Sequence, residues 1–415
     1  MSSLRVLITN ISLSGRSGTE MYVHDLAKGL LARGHAPVIY APQLGPTAYE
    51  LQRATVQVVD DLGKVGFMPD VIHGHHTLAT LTAMLYFPQA PAIYVCHDWS
   101  WEHDLPPKLT RIRRYLAVDH TVRDRLVLGE GIPESATEVV YNGVDLRRFR
   151  PRDPLPESPK RALVFSHYVT PEQLFLLRTI CRKLGIQLDA WGSQMGSVQE
   201  SPEKLLGSYD LVFAKGRCAW ESLASGTAVI VCDSWGVGPM VTLAQLDYLR
   251  ARNFGRRLLQ QPFIPEVLEE QIRRYNAADA GQVSQQIRAT AGLDGMVDRL
   301  VQIYGEIQAE HHLAGPAEPQ QEMLELGRAL TTWWNGARQA HSARYMHPAG
   351  ILSLDTIRTA IREEIAAGLP LDSIREVFLG NLIVSRKPKP PRWKRLLQSI
   401  QKRLPDWASP SRRAA

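Results

Sequence analysis

The 415-residue sequence contains no apolar run near the roughly 18 residues that a membrane-spanning helix needs. It has four cysteines, Cys96, Cys181, Cys218 and Cys232, and none has the spacing of a metal finger or a disulfide framework. Each lies in or beside an apolar run, as buried thiols of a reducing compartment do. The first residues pass straight into a strand-like pattern, without the charged region, apolar core and cleavage site of a leader, so a cytoplasmic location is expected. No internal repeat is present. Excess positive charge is absent from most of the chain. The net charge is +6, but residues 386–415 hold ten Lys/Arg against one Asp, which leaves the remainder slightly acidic. The pI of 9.1 therefore marks one basic terminal segment and gives no reason to expect nucleic-acid binding. With 44% hydrophobic and 22% charged residues, the composition is that of a soluble globular protein of two or three domains.

What is present is alternation. Residues 4–9, 37–41, 56–59, 71–73, 92–96, 115–118 and 138–141 read as short strands. Helical spacing lies between them, clearest at 20–32, where Val23, Leu26, Ala27 and Leu30 share one face and Gly34 stops the helix. Further helices are expected near 78–86 and 122–129. Pro151, Pro154, Pro156 and Pro159 then make a stiff linker that can continue no sheet. A second alternation follows. Strands are expected at 162–166, 186–191, 211–214 and 228–232, with helices at 171–184 and 218–225 and more helix to about 310. This pattern predicts an α/β protein of two Rossmann-like domains, 1–150 and 151–312, with a ligand cleft between them. A helical extension is expected over 313–385, with one strand candidate at 382–385, and a basic tail over 386–415.

Two loops have the chemistry of anion sites. Gly15, Arg16 and Gly18 lie between the first strand and its helix, where close backbone amides and a helix N-terminus suit a phosphate. The alternative is a tight turn that needs only glycine's backbone freedom. Lys215, Gly216 and Arg217 precede a helix carrying Glu221. They suit a diphosphate, unless the turn is simply solvated and Glu221 serves the helix dipole. His97 and Asp98 follow a buried strand, at the edge where α/β proteins bind ligands, or they form a capping pair. Trp99 and Trp101 follow, suited to stacking on a sugar or lipid or to loop packing. His73, His75, His76, His97 and His103 match no zinc spacing, so no metal is expected.

Several stretches resemble the bacterial family 4 glycosyltransferases. They are Ser14-Gly15-Arg16-Ser17-Gly18-Thr19-Glu20 with Leu30-Leu31-Ala32-Arg33-Gly34-His35, Pro69-Asp70-Val71-Ile72-His73-Gly74-His75, and Cys96-His97-Asp98. The most specific is Val139-Val140-Tyr141-Asn142-Gly143-Val144-Asp145, followed by Phe149 and Pro151. The block at 211–233 is similar to that family's acidic donor motif. The resemblance covers roughly residues 1–310. It implies two facing Rossmann-like domains (GT-B type), retention of anomeric configuration, and a nucleotide-sugar donor with no cofactor. By the same resemblance, His97, with Asp98, stands beside the transferred sugar. Gly15 and Gly18 face donor phosphate or acceptor. Glu221 takes the ribose hydroxyls, while Lys215, Gly216 and Arg217 are expected from their own chemistry to hold the diphosphate.

Two departures stand out. The family's second glutamate, eight positions before Glu221, is Phe213 here, and the loop Ser166-His167-Tyr168-Val169-Thr170 lacks the family's cationic pair. Between Pro391 and Leu404, the residues Trp393, Leu396, Leu397, Ile400 and Leu404 form an apolar stripe among Arg and Lys, the pattern of a helix lying on an anionic membrane. A terminal helix docked on the body is the alternative. The expected function is sugar transfer to a glycan or lipid-linked acceptor in bacterial envelope polysaccharide synthesis, at the inner membrane face. A catalytically weak sugar- or nucleotide-binding subunit is the alternative. A nucleotide-sugar epimerase is a third reading, for which no catalytic acids are identified.

Overall fold

The computed structural model describes residues 3–192, 199, 201–315 and 318–344. The expected helix at 351–382, the strand candidate at 382–385 and the basic stretch from Pro391 to Leu404 lie outside the described residues.

Seven strands, β1 (Arg5–Thr9), β2 (Ala36–Tyr40), β3 (Gln57–Val59), β4 (Val71–His75), β5 (Ala92–Cys96), β6 (Ile112–Ala117) and β7 (Thr137–Val139), form one parallel sheet in the order β3-β2-β1-β4-β5-β6-β7. Helices α1 (Gly18–Ala32), α2 (Pro46–Arg53), α3 (Thr77–Tyr86) and α4 (His120–Asp124) connect them. The apolar face expected of α1 is fully buried, with Val23, Leu26, Ala27 and Leu30 all in the first core. Helix α2 was not expected, because its one buried face, Thr47, Ala48 and Leu51, is too short a pattern to stand out in sequence.

The second sheet has β8 (Arg161–Phe165), β9 (Gln187–Trp191), β10 (Leu211–Ala214), β11 (Ala228–Asp233) and β12 (Gly236–Met240), in the order β12-β11-β10-β8-β9. Its parallel strands are joined through α5 (Pro171–Lys183) and α6 (Gly216–Ala224). Strand β12 runs antiparallel at the edge. Its sequence, Gly-Val-Gly-Pro-Met, reads as a breaker, yet an edge strand tolerates a proline whose missing donor no neighbour needs. Helices α7 (Leu246–Arg250), α8 (Pro265–Arg273) and α9 (Ala277–Thr290) follow.

The last two helices, α10 (Leu293–Ala314) and α11 (Pro319–Arg344), return to the first sheet. Met296, Val297, Leu300, Ile303, Tyr304 and Ile307 of α10, with Leu326 and Ala329 of α11, belong to the first hydrophobic core. The expectation that 151–312 forms one body is corrected at Leu293, where packing passes to the first sheet. Periodicity shows which face of α10 is apolar but not which sheet it meets. The chain crosses back beside the first linker. Val144 and Gly292 form an isolated parallel bridge, the Val144 amide donates to the Ala291 carbonyl at 2.9 Å, and the Leu293 amide donates to the Val144 carbonyl at 2.8 Å. A Cβ on Gly143 would lie 2.7 Å from the Leu293 Cα, so the glycine of the most specific sequence motif serves this crossing. Buried Arg111 fastens α11. It donates to the Met84 and Ala90 carbonyls at 2.6 Å, capping the end of α3, and pairs with Glu322.

Candidate active site

The start of α1, the ends of β8 and β9 and the start of α6 line an open cleft. Arg16, Gly18 and Met21 come from the first domain, and Arg148 from the segment after the crossing motif. Phe165, His167, Trp191, Arg217, Cys218 and Glu221 come from the second. The expected donor residues Arg217 and Glu221 and the loop residue Gly18 therefore line one space. Gly15, Lys215, Gly216, His97 and Asp98 are not among the lining residues.

Arg217 is already engaged. Its Nε donates to the Glu221 Oε1 at 2.7 Å, and its Nη2 pairs with the Asp25 Oδ2 on α1, across the domain boundary. Asp25 is 3% exposed and also faces the His24 Nδ1 at 2.9 Å and the Arg148 Nη1 at 3.3 Å. Arg148 reaches the Glu203 Oε2 at 3.1 Å. Burial alone would raise the Asp25 pKa, but Arg217, His24 and Arg148 outweigh it and hold the carboxyl well below its ordinary value. Burial raises the Glu221 pKa, against the pull of Arg217. Asp25, Arg148 and Glu203 were missed in sequence because their partners lie far along the chain. Asp145 supplies the only local signal: its Oδ1 accepts the amides of Arg147 and Arg148 at 3.0 and 3.3 Å, and that turn presents Arg148.

The glycine loop holds an internal anion. Ser17 caps α1 in a capping box with Glu20. The amides of Gly15 and Ser17 donate to the Glu20 carboxylate at 2.8 and 2.7 Å, and the Ser12 hydroxyl donates to it at 3.2 Å. The Gly15 and Ser17 amides expected to cradle a phosphate therefore bind a buried glutamate, and neither Gly15 nor Gly18 has the positive φ that the tight-turn alternative supposes. The side chain of Arg16 pairs with Glu50 at 2.9 Å. At the other loop, Gly216 opens α6 with φ +53, a conformation glycine adopts freely. Its amide donates to the Phe254 carbonyl at 3.1 Å, which uses one expected diphosphate donor.

Lys215 meets the Asp233 Oδ2 at 2.7 Å and lies 4.8 Å from the centre of the Tyr168 ring. A cation thus stands beside the loop at 166–170 that carries none of its own. Burial lowers the His167 pKa there, with Asp233 opposing it. Phe213 is fully buried in the second sheet's core, so that side chain cannot meet a ligand.

His97 lies at the end of β5, with its ring against Tyr22 at 4.9 Å between centres. Its Nε2 and the His75 Nδ1 are 2.8 Å apart. Burial lowers its pKa to about 3, against the pull of Asp98, so the imidazole is neutral near pH 7. The buried setting favours the neutral donor. Asp98 forms a turn: its Oδ1 accepts the amides of Ser100 and Trp101 at 2.7 and 3.1 Å. Asp104, which sequence reasoning missed, accepts the amides of His97 and Asp98 at 2.7 Å each and fixes the strand end. Burial raises its pKa to about 7. His73 meets the Tyr304 hydroxyl at 2.5 Å, and the His76 and His103 rings are in edge contact. Among the described residues no group of three or more His, Cys, Asp or Glu is arranged to hold a metal. Among them, too, no helix is long and apolar enough to cross a membrane.

Residues 16–148 match the sequence model of Glycosyltransferase Family 4. No curated protein matches the chain. A glycosyltransferase from Rickettsia africae has a similar structure, with 15% identity and a TM-score of 0.53 over 74% of this chain and 99% of the other. The Anabaena HepE protein solved with UDP gives 13% identity and a TM-score of 0.54, covering 73% of this chain and 100% of that one. The same protein solved with UDP and glucose gives 14% and 0.51 over the same shares. Identities this low bear on the fold. The chain has the GT-B architecture of two Rossmann-like sheets, and its first 150 residues carry the match to Glycosyltransferase Family 4.

Proposed function

We propose that this protein is a nucleotide-sugar-dependent glycosyltransferase whose donor enters the cavity between the two sheets. The observation that carries the reading is the convergence there of Arg217 and Glu221 from α6 with Arg16 and Gly18 from the first domain. Similar structures hold UDP, and the donor is read as a UDP-sugar. Arg217, with Lys215 and the start of α6, neutralises the diphosphate, so a metal is not needed for that charge. Glu221 accepts the ribose hydroxyls. The donor must take Arg217 from Asp25 before it can bind in this way. Neutral His97 donates to a hydroxyl of the transferred sugar. The carboxylates near the cleft are engaged, Asp25 by arginines, Glu20 by loop amides, Asp98 in its turn and Asp104 by two amides. That supports same-face displacement with retention, in which the leaving phosphate helps deprotonate the acceptor. Gly15 serves the close approach of the loop to Glu20, where a Cβ would lie 3.2 Å from a carboxylate oxygen, and Gly18 lines the cavity.

The acceptor is read as a glycan or lipid-linked sugar of bacterial envelope polysaccharide synthesis. The sequence between Pro391 and Leu404 supports attachment to the inner membrane face. Flotation with anionic vesicles tests the attachment: deleting 386–415 is expected to abolish it, and a wild type that ignores such vesicles removes the claim.

A catalytically weak binding subunit is the second reading, favoured by Phe213 in the core and by the Asp25–Arg217 pair. A screen of nucleotide sugars for thermal stabilisation, followed by hydrolysis and transfer assays on each hit, separates the two. Turnover that His97→Ala abolishes without lowering the melting temperature supports the transferase. Stabilisation without turnover supports the subunit, and no stabilisation by any nucleotide sugar contradicts both.

A further inference from the structure

We infer that His75 is a positioning residue, whose Nδ1–H is donated to the His97 Nε2 and so holds the His97 ring with its own proton on Nδ1. The role given to His97 here rests on the proposed function, but the tautomer does not.

The two nitrogens are 2.8 Å apart, so one ring must donate. Burial and the neighbouring histidines keep both rings neutral, with one proton each. Two arrangements remain. If His97 donates, His75 must carry its proton on Nε2. That atom is buried and has no hydrogen-bond partner among the described residues, so the arrangement leaves an orphaned N–H. If His75 donates from Nδ1, its Nε2 is a bare lone pair. Buried N–H groups without acceptors are the rarer defect in folded proteins, and the second arrangement avoids one.

The His75 ring is placed to impose this choice. The His75 amide donates to the Thr9 hydroxyl at 3.0 Å, which fixes the strand end. Its ring is enclosed by Tyr22, 5.1 Å away edge-on, and by His73 at 4.6 Å. The His97 Nδ1 carries no hydrogen bond to a described residue. It is therefore the ring atom left to donate to a ligand oxygen. Histidine behaviour depends on which nitrogen holds the proton, and the partner of the other nitrogen sets that.

The test is nitrogen-15 NMR of the intact, histidine-labelled protein near pH 7.5, with the His97 signals assigned by their loss in His97→Asn. The expected result is a protonated Nδ1 and a bare Nε2 on His97. In His75→Ala the His97 proton should redistribute between the two nitrogens. In His75→Asn, whose amide can stand at the Nδ1 position and donate, the wild-type pattern should be kept. A wild-type His97 protonated on Nε2 overturns the proposal, as does an unchanged pattern in His75→Ala. If His75→Ala does not fold, the wild-type pattern and His75→Asn still decide. Where donor turnover is measurable, kcat is expected to fall about 10- to 100-fold in His75→Ala, with donor KM unchanged and with recovery in His75→Asn. Absence of turnover in the wild type would count against the proposed function and leave the NMR result standing.

Discussion

Asp25 and Arg217 show how one residue pair links stability to ligand binding. The Asp25 carboxylate is 3% exposed and holds Arg217 across the domain boundary, together with Arg148 from the segment after Val144. Removing one partner of such a buried pair costs about 3 kcal/mol or more, because the other charge is left uncompensated. Asp25→Asn is therefore expected to lower the unfolding midpoint. The freed arginines would then accept a diphosphate in place of the carboxylate, so UDP should restore more stability to the variant than to wild type. Thermal unfolding with and without UDP checks both signs, and a variant that UDP stabilises less than wild type contradicts the competition. Sequence named Arg217 and Glu221 from their place at a helix start. It could not name Asp25, whose neighbours on α1 suggest only a helix face and whose partners are distant in the chain. The glycine loop misled in another way. Its composition suited a phosphate, but Glu20, one helical turn along, binds the same amides. Capping box and phosphate cradle share residues at this spacing, and only the side-chain rotamer tells them apart.

At the level of elements, alternation disclosed every parallel strand among the described residues: inner strands such as β5 and β10 are buried throughout and read as unbroken apolar runs, while half-buried β7 and β9 stand out by their place in the alternation. It missed β12 and α2, whose short patterns are carried by edge position and tertiary packing. It also placed α10 with the wrong sheet. The crossing that brings α10 back makes a sharp prediction. A Cβ on Gly143 would lie 2.7 Å from the Leu293 Cα and 3.1 Å from the Met296 Cβ, so backbone must move. Gly143→Ala is expected to destabilise by about 1–3 kcal/mol. Urea unfolding measures it, and a neutral substitution would show that the crossing is looser than described. Gly18, whose Cβ would meet nothing within 4 Å, is the matched control.

On the scale of the whole molecule, buried neutral histidines set the pH dependence. Burial lowers His73 and His97 to about 3, and His75 and His76 well below their ordinary value. The unfolded chain binds protons at these sites below about pH 6.5, while the folded chain does not. Stability is thus full above pH 6.5 and is lost as pH falls from there toward 3, each site contributing about 1.4 kcal/mol per pH unit. Asp104, raised to about 7, and Asp119 and Glu221, also raised, work in the opposite sense. The histidines outnumber them, so the melting temperature is expected to fall steeply between pH 6.5 and 4. His73→Asn should flatten that slope, and a melting temperature that is constant across this window contradicts the burial of neutral imidazoles. The central claim, however, is that the cavity between the sheets receives a nucleoside diphosphate held by Arg217 and Glu221. Calorimetric titration of UDP into the intact wild type and Glu221→Ala tests it most directly. The account predicts one site in the wild type and an affinity lower by about tenfold or more in the variant, the cost of losing a charge-assisted hydrogen bond. Equal affinity in the two proteins, or no binding of UDP to the wild type, would contradict it.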